Sequence, residues 1–527
     1  MTYSSCSPCR RTPLPARWRQ AAALLLLLWA AWMYLPDLGR NSLWEDELFS
    51  ADIALQRPLW PHDQPWLERV RLTELGAQES FWTVKAADQS PPLYELLNKL
   101  VTALLGDGEA QLRLLSALAV LMLLGWLGWR AWRQACQPEG MAYLAMMGLL
   151  ASSGFVHVYA QEARAYGLGM ALSAVLWVLF WQRWLQGWRS APLPGWAEVA
   201  LFAAAALTHY HATALAALLL GLYGLEGLRR RDGWALLRMA CVLAVVLAWL
   251  ALSYHSLWLT AQGQMGFVQK MSYGQALLAG LRTLHAQVLG PWATAGMALC
   301  AGLYGIALLR QAGAGAARPP LTPMQRRWAW ASLAVLLALL AYGALITAIM
   351  RQSQIVAPRH YVFLLPPLYL LLACALAHAL AWQQQGRQPW LGALAPLMLV
   401  GLMGLQWPML QHYRHIAKHD FRAAAQFALQ HLQPGDAVYT GFMLNPAGYR
   451  YYLQRKAGKP VRILPLYSAE DAQALCRQAP LPQRFAHLHM AYHPQVAQAL
   501  QQACGAHFEV QRHERHNVSV GLWRQKP

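Results

Sequence analysis

Charge is scarce in this sequence. Of its 527 residues only 13% are Asp, Glu, Lys or Arg, against about 25% in an ordinary soluble protein. Such a chain cannot cover itself with a solvated surface, and its long apolar runs place it among polytopic membrane proteins. Nucleotide signatures are missing as well: the polar C-terminal part contains no G-x-G-x-x-G and no P-loop, which excludes the common nucleotide folds there. The eight cysteines are scattered. Cys6 and Cys9 form a lone C-x-x-C without a second pair, which argues against a zinc module. No A-x-A cleavage site follows the first apolar run, Ala21 to Pro36, so it reads as an uncleaved first span with its basic flank in the cytoplasm.

Hydrophobic residues make up 57% of the chain, Trp occurs 25 times, and the formal net charge is +19. The Arg residues sit in short loops between apolar spans, as the positive-inside bias and anionic headgroups require, and this excludes nucleic acid as a partner. Cys136, Cys241, Cys300 and Cys374 lie in or beside spans and read as packing residues. Cys476 and Cys504 stand alone in the C-terminal part and have the chance to pair in an oxidising compartment.

Spans of roughly 17 to 25 apolar residues predict a definite course. After the first span a polar segment runs from Asp37 to Gln89, and Ser90–Gly106, with Glu95, Asn98 and Lys99, reads as an interfacial amphipathic helix. Leu112–Trp129, Met141–Tyr159 and Gly167–Trp184 cross. Trp196–Leu228 is too long for one span; two helices breaking near Thr208–His211 keep Arg229, Arg230 and Arg231 on the cytoplasmic side. Trp234–Tyr254, Trp292–Leu309, Trp328–Met350, His360–Trp382 and Trp390–Trp407 follow. The expected architecture is a polytopic α-helical membrane protein of about eleven transmembrane helices, with interfacial helices in the first external loop. An odd count puts the C-terminus outside. Residues 1–411 form the membrane domain, and 412–527, alternating helix and strand, a small external α/β domain.

Four stretches carry candidate chemistry. Glu45, Asp46 and Glu47, in L-W-E-D-E-L-F-S, are either a solvated loop or helix start, or a cluster whose mutual repulsion prepares one carboxylate as a base. Glu162, Arg164 and Tyr166, in Y-A-Q-E-A-R-A-Y, lie at the outer end of two spans, where an Arg either works on a substrate or snorkels to headgroups. His209 and His211 form an H-x-H in the helix break; two His without a third ligand do not fix a metal, and hydrogen bonding is the plainer role. Arg359, His360 and Tyr361, in A-P-R-H-Y-V-F-L-L-P-P, precede a span interrupted by Pro366 and Pro367, where a cation can hold phosphate.

Together W-E-D-E-L-F-S, S-P-P-L-Y-E-L-L, D-G-E-A-Q-L-R-L-L-S-A-L, Y-A-Q-E-A-R-A-Y, L-T-H-Y-H-A and P-R-H-Y-V-F-L-L-P-P resemble the GT-C membrane glycosyltransferases. The nearest branch is the family 39-like group of protein mannosyltransferases and lipid A or lipopolysaccharide sugar transferases. The resemblance runs from Trp44 to Pro367. It implies transfer of a sugar from a polyprenyl-phosphate-linked donor to a lipid, glycan or protein hydroxyl, at the outer face of a bacterial inner membrane. It maps the acceptor-side acid onto Asp46 with Glu47 adjacent, and the donor side onto Glu162, Arg164, Tyr166, Arg359, His360 and Tyr361; His209 is a further substrate-binding candidate. Ser90 stands where relatives often carry His before Pro-Pro, which removes any metal role resting on that His; a divalent metal stays open.

The chemistry fits those residues independently. A departing phosphate needs cations rather than an acid, and the acceptor hydroxyl needs one base, so a single displacement inverts the anomeric carbon. The competing readings are a transporter or lipid-linked sugar flippase, and a glycan ligase. A transporter commonly needs midplane ionisable residues and inverted repeats, whereas here the charges gather at one face and no repeat is evident.

Overall fold

The computed structural model describes residues 16–56, 80–86, 88, 90–135, 137–254, 271–312, 323–353, 357–384, 389–416, 418–440, 451–453, 461–466, 468–491 and 494–527. Cys6, Cys9 and Cys136 fall outside them. The molecule is a mostly helical membrane protein with a small C-terminal sheet. It divides into two compact units: one contains Met1–Pro36, Ser116–Trp249 and Phe267–His415, the other Asp37–Leu115, Leu250–Gly266 and Ile416–Pro527.

Seven helices among the described residues are long and apolar enough to cross a bilayer, or eight if one bent pair counts as a span. The helices Ala16–Tyr34, Trp196–Ala206 and Pro291–Ala312, which the eleven expected crossings include, lie outside those seven. The bent pair is Pro138–Ser152 and Gly154–Ala160, at 72°. The sequence reads there as one continuous span, and the structure corrects it. Ser153 caps the second helix by accepting from Val156 N–H at 3.4 Å. A Cβ on Gly154 would lie 2.5 Å from the Leu410 backbone nitrogen, so only Gly fits where the chains touch. The broken end is satisfied by Gln406, which donates to Ser152 Oγ at 3.0 Å and accepts from the Tyr369 hydroxyl at 2.7 Å.

The break expected near Thr208–His211 is present, between helices Trp196–Ala206 and Tyr210–Arg230. The first has 11 residues, only about 16 Å of helix, yet it links both ends of the neighbouring Tyr166–Gln186 helix. Glu198, in its first turn, pairs with Arg183 near that helix's C-terminus. His209, just past its end, packs its ring 5.0 Å from that of Tyr166 at the other end. Arg230 then donates to the carbonyls of Ala191 and Trp188 at 2.7 and 2.6 Å, so the chain returns to the level from which it left. Pro366 and Pro367 do not interrupt a span. They occupy the first turn of helix Leu365–Gln384, after a 3-10 turn over Pro358–Leu364, where a missing N–H costs nothing.

In the second unit, helix Leu93–Leu105 is strongly amphipathic as expected, with Tyr94, Glu95 and Asn98 buried and Leu96, Leu100, Leu104 and Leu105 exposed. The C-terminal sheet comprises β1 (Ala437–Thr440), β2 (Arg462–Pro465), β3 (Arg484–Met490), β4 (Phe508–Arg515) and β5 (Val518–Gln525), in the order β2-β1-β3-β5-β4. Strand β1 runs parallel to β2 and β3; β5 runs antiparallel to β3 and β4. The β4–β5 turn places His516 and Asn517 at φ 46° and 65°, the two left-handed residues of a tight hairpin. Strand β4 had no signal in the sequence reading, because F-E-V-Q-R-H-E-R is an edge strand whose charges blunt it against further pairing.

Helices Ala469–Cys476 and Gln495–Cys504 are joined by a Cys476–Cys504 disulfide, Cα to Cα 5.4 Å. Protein purified without reductant should leave both thiols unlabelled by maleimide until reduced, as peptide mass spectrometry reads directly. Replacing both by Ser should destabilise this region by about 3 kcal/mol. Labelling of either thiol before reduction contradicts the pairing.

Candidate active site

The three consecutive acids begin a helix, Glu45–Ala54, where the N-terminal dipole favours negative charge. They do not share one environment. Glu47 is 1% exposed and grips Arg113: Nε to Oε1 is 2.7 Å and Nη2 to Oε2 is 2.6 Å. Its Oε2 also accepts from the Trp44 N–H at 3.0 Å, closing the first turn. Arg113 donates further to the carbonyls of Leu38 and Asn41 at 2.8 Å and of Ser42 at 3.0 Å. A carboxylate so held has its charge committed to a buried guanidinium, and its structural work is to fix the helix start. Glu45 is also buried, at 8%, so a solvated helix start does not describe it.

Asp46 is half-buried between them. Its charge acts on His419, whose pKa is pushed down chiefly by burial, with Asp46 opposing and Lys418 adding. The Trp44 ring packs edge-on against His419, and Lys418 Nζ lies 4.7 Å above it. A second set of bonds locks the preceding loop. The Tyr452 hydroxyl accepts from Leu43 N–H at 2.8 Å and donates to Glu109 at 2.6 Å, and Glu109 pairs with Arg422 at 2.8 Å. The sequence signal of these roles is D-G-E-A-Q-L-R, which sets Glu109 and Arg113 four apart on one helix face. Ser90 belongs to another buried group: Lys85 Nζ donates to Ser90 Oγ at 2.7 Å, to Asp88 at 2.6 Å and to Glu95 at 3.0 Å.

In the first unit, the 166–186 helix, the 207–209 break and the 358–364 turn bring Tyr166, His209 and His360 together. Ring centroids are 5.0 Å apart for Tyr166 and His209, and 6.3 Å for His209 and His360. His211, which sequence reasoning left as half of an H-x-H, joins them and stacks on His360 at 4.9 Å. His209 Nδ1 accepts from the His211 N–H at 3.1 Å and so caps the Tyr210–Arg230 helix. Arg164 and Arg359 are near enough that their charges act on both His209 and His360. Glu162 is 1% exposed, and its charge and that of Arg359 both act on Tyr159, whose ring meets Tyr166 at 5.1 Å. Tyr361 is not part of this group: its hydroxyl lies against Gly280, where a Cβ would come within 2.3 Å of it. Gly169 admits the cluster, since a Cβ there would sit 3.0 Å from Phe363 and 3.5 Å from His209. A groove of about 870 Å³, lined by Leu25, Leu144, Leu380 and Leu399 among others, includes none of these polar residues.

No family model matches the sequence, and no curated protein matches it. Among solved structures, ArnT from Cupriavidus metallidurans bound to undecaprenyl phosphate matches with a TM-score of 0.52 at 16% identity, over 95% of this chain and 98% of that one. ArnT in the apo state matches with a TM-score of 0.49 at 15% identity, over 96% and 97%. This chain shares its fold with that ArnT structure over nearly the full length of both. The expectation of a polytopic helical membrane protein with a small C-terminal sheet agrees with that match.

Within this fold, Glu47→Gln leaves Arg113 buried without its counter-charge, which costs about 3–5 kcal/mol. Thermal unfolding in detergent should show a large loss of stability. A Glu47→Gln protein as stable as the parent would return Glu47 to the candidate bases.

Proposed function

We propose that the protein is a glycosyltransferase that moves a sugar from a polyprenyl-phosphate donor to an acceptor hydroxyl of an envelope glycolipid, glycan or protein, with inversion. The observation that carries this reading is the Tyr166–His209–His360 group, with the charges of Arg164 and Arg359 acting on both of its imidazoles. Two guanidinium groups beside imidazoles form a site for a phosphate that leaves as an anion. The fold of a protein solved with undecaprenyl phosphate supports a lipid-phosphate donor.

In the proposed step, the acceptor oxygen attacks the anomeric carbon as the bond from that carbon to the phosphate oxygen breaks. The hydroxyl proton passes to the Asp46 carboxylate, and polyprenyl phosphate departs unprotonated, its charge met by Arg164 and Arg359. Glu47, which the sequence places beside Asp46 as a second catalytic acid, holds the helix start through Arg113 in this reading and takes no proton. The disulfide of the C-terminal part supports placing that part in an oxidising compartment. The Arg-rich helix ends, Arg130 and Arg133, Arg183, and Arg229 and Arg230, support a cytoplasmic location for the opposite face. The site then faces the exterior.

Turnover of Asp46→Asn should fall by about 10²- to 10⁴-fold, the usual worth of a general base, with donor binding retained. Arg359→Lys keeps the charge but not the planar fork, and should lose about tenfold or more in kcat/KM for the donor. Near-normal turnover in Asp46→Asn removes it as the base; near-normal kcat/KM in Arg359→Lys reduces Arg359 to a membrane anchor.

A further inference from the structure

We infer that His209, His211 and His360 form a binding site for a divalent transition metal, zinc by the nature of its ligands. Among the described residues these three each offer a ring nitrogen, and the three atoms lie within 4.8 Å of one another. His209 comes from the break before the Tyr210–Arg230 helix, His211 from the first turn of that helix and His360 from the 358–364 turn, so the fold supplies the ligand that H-x-H alone lacks. Imidazole suits zinc, copper, iron and nickel and does not suit magnesium or calcium. Three protein ligands leave a fourth tetrahedral position for an oxygen from water or an anion.

A second observation points to a ligand. His211 is 2% exposed, and neither of its ring nitrogens has a hydrogen-bond partner among the described residues; His360 Nδ1 lacks one too. Buried polar atoms left in that state are costly, and a metal bond satisfies a lone pair on each ring. Ligation at about 2.0–2.1 Å requires the three nitrogens to draw nearer to one another than 4.8 Å, and the stacked His211 and His360 rings to turn until their lone pairs meet at one point.

His209 has to change role for this. Its Nδ1 lone pair accepts the His211 N–H. If Nδ1 ligates, that lone pair is used; if Nε2 ligates, Nδ1 must carry the proton and cannot accept. Either way the metal replaces the cap. The charges of Arg164 and Arg359 oppose a bare cation, so an anion in the fourth position offsets them.

The test is equilibrium dialysis of the purified full-length protein against zinc ion, with bound metal read by mass spectrometry. It is independent of sugar transfer, so its failure leaves the proposed function standing, and failure of that function leaves the metal site standing. The parent should hold about one zinc per chain. His211→Phe and His360→Phe should weaken binding by about tenfold or more, since loss even of groups that merely orient ligands costs that much. His211→Cys and His360→Cys should keep the metal, because thiolate is itself a zinc ligand; this separates ligation from packing. His209→Asn keeps a helix cap and should still lose zinc affinity. A parent that binds no zinc, or Phe variants that bind it as tightly, would overturn the assignment.

Discussion

The buried pair between Arg113 and Glu47 is the interaction on which the acidic site depends. Its partners lie on separate segments, the start of the 45–54 helix and the first turns of the 109–133 helix. The guanidinium satisfies both oxygens of Glu47 and three loop carbonyls at once. Desolvating two charges gives little net stability, but it is intolerant of error, because a lone buried charge is far worse than none. The pair therefore fixes where the neighbouring residue, Asp46, stands. Tyr452, Glu109 and Arg422 repeat the arrangement one step outward, holding the loop before the helix.

The basic and imidazole group is built on different physics. There the backbone stops being helical at Leu207–His209 and becomes a 3-10 turn at Pro358–Leu364. Each interruption frees polar groups that a continuous span would keep to itself, and each is lined by Arg, His or Tyr. In an apolar setting irregular backbone is tolerated only where protein or a polar cavity surrounds it. Gly169 leaves room for the aromatic packing that closes the group.

Much of this was legible in the sequence. Low charge and apolar runs set the class, the Arg229–Arg231 run located the helix break, and alternating helix and strand was readable in the C-terminal part. What stayed hidden depended on distant partners or weak local cues. Only Ser152–Gly154 marks the bend in the 138–160 region. Strand β4 is too charged to look like a strand, and Pro366 and Pro367 begin a helix instead of breaking one. Glu47 and Arg113 are far apart in sequence, so nothing local separates Glu47 from Asp46. The same is true of His360, which completes a group whose other two members are two residues apart in the chain.

The central claim is chemical: a sugar leaves a polyprenyl phosphate and arrives on a hydroxyl with inverted configuration. The most direct measurement incubates the purified protein with polyprenyl-phosphate sugars labelled in the sugar, and follows lipid phosphate and product together. The account predicts free polyprenyl phosphate in step with labelled product, and an anomeric configuration opposite to that of the donor by nuclear magnetic resonance. Donor carried across a vesicle membrane without release of lipid phosphate, or product with retained configuration, would contradict it.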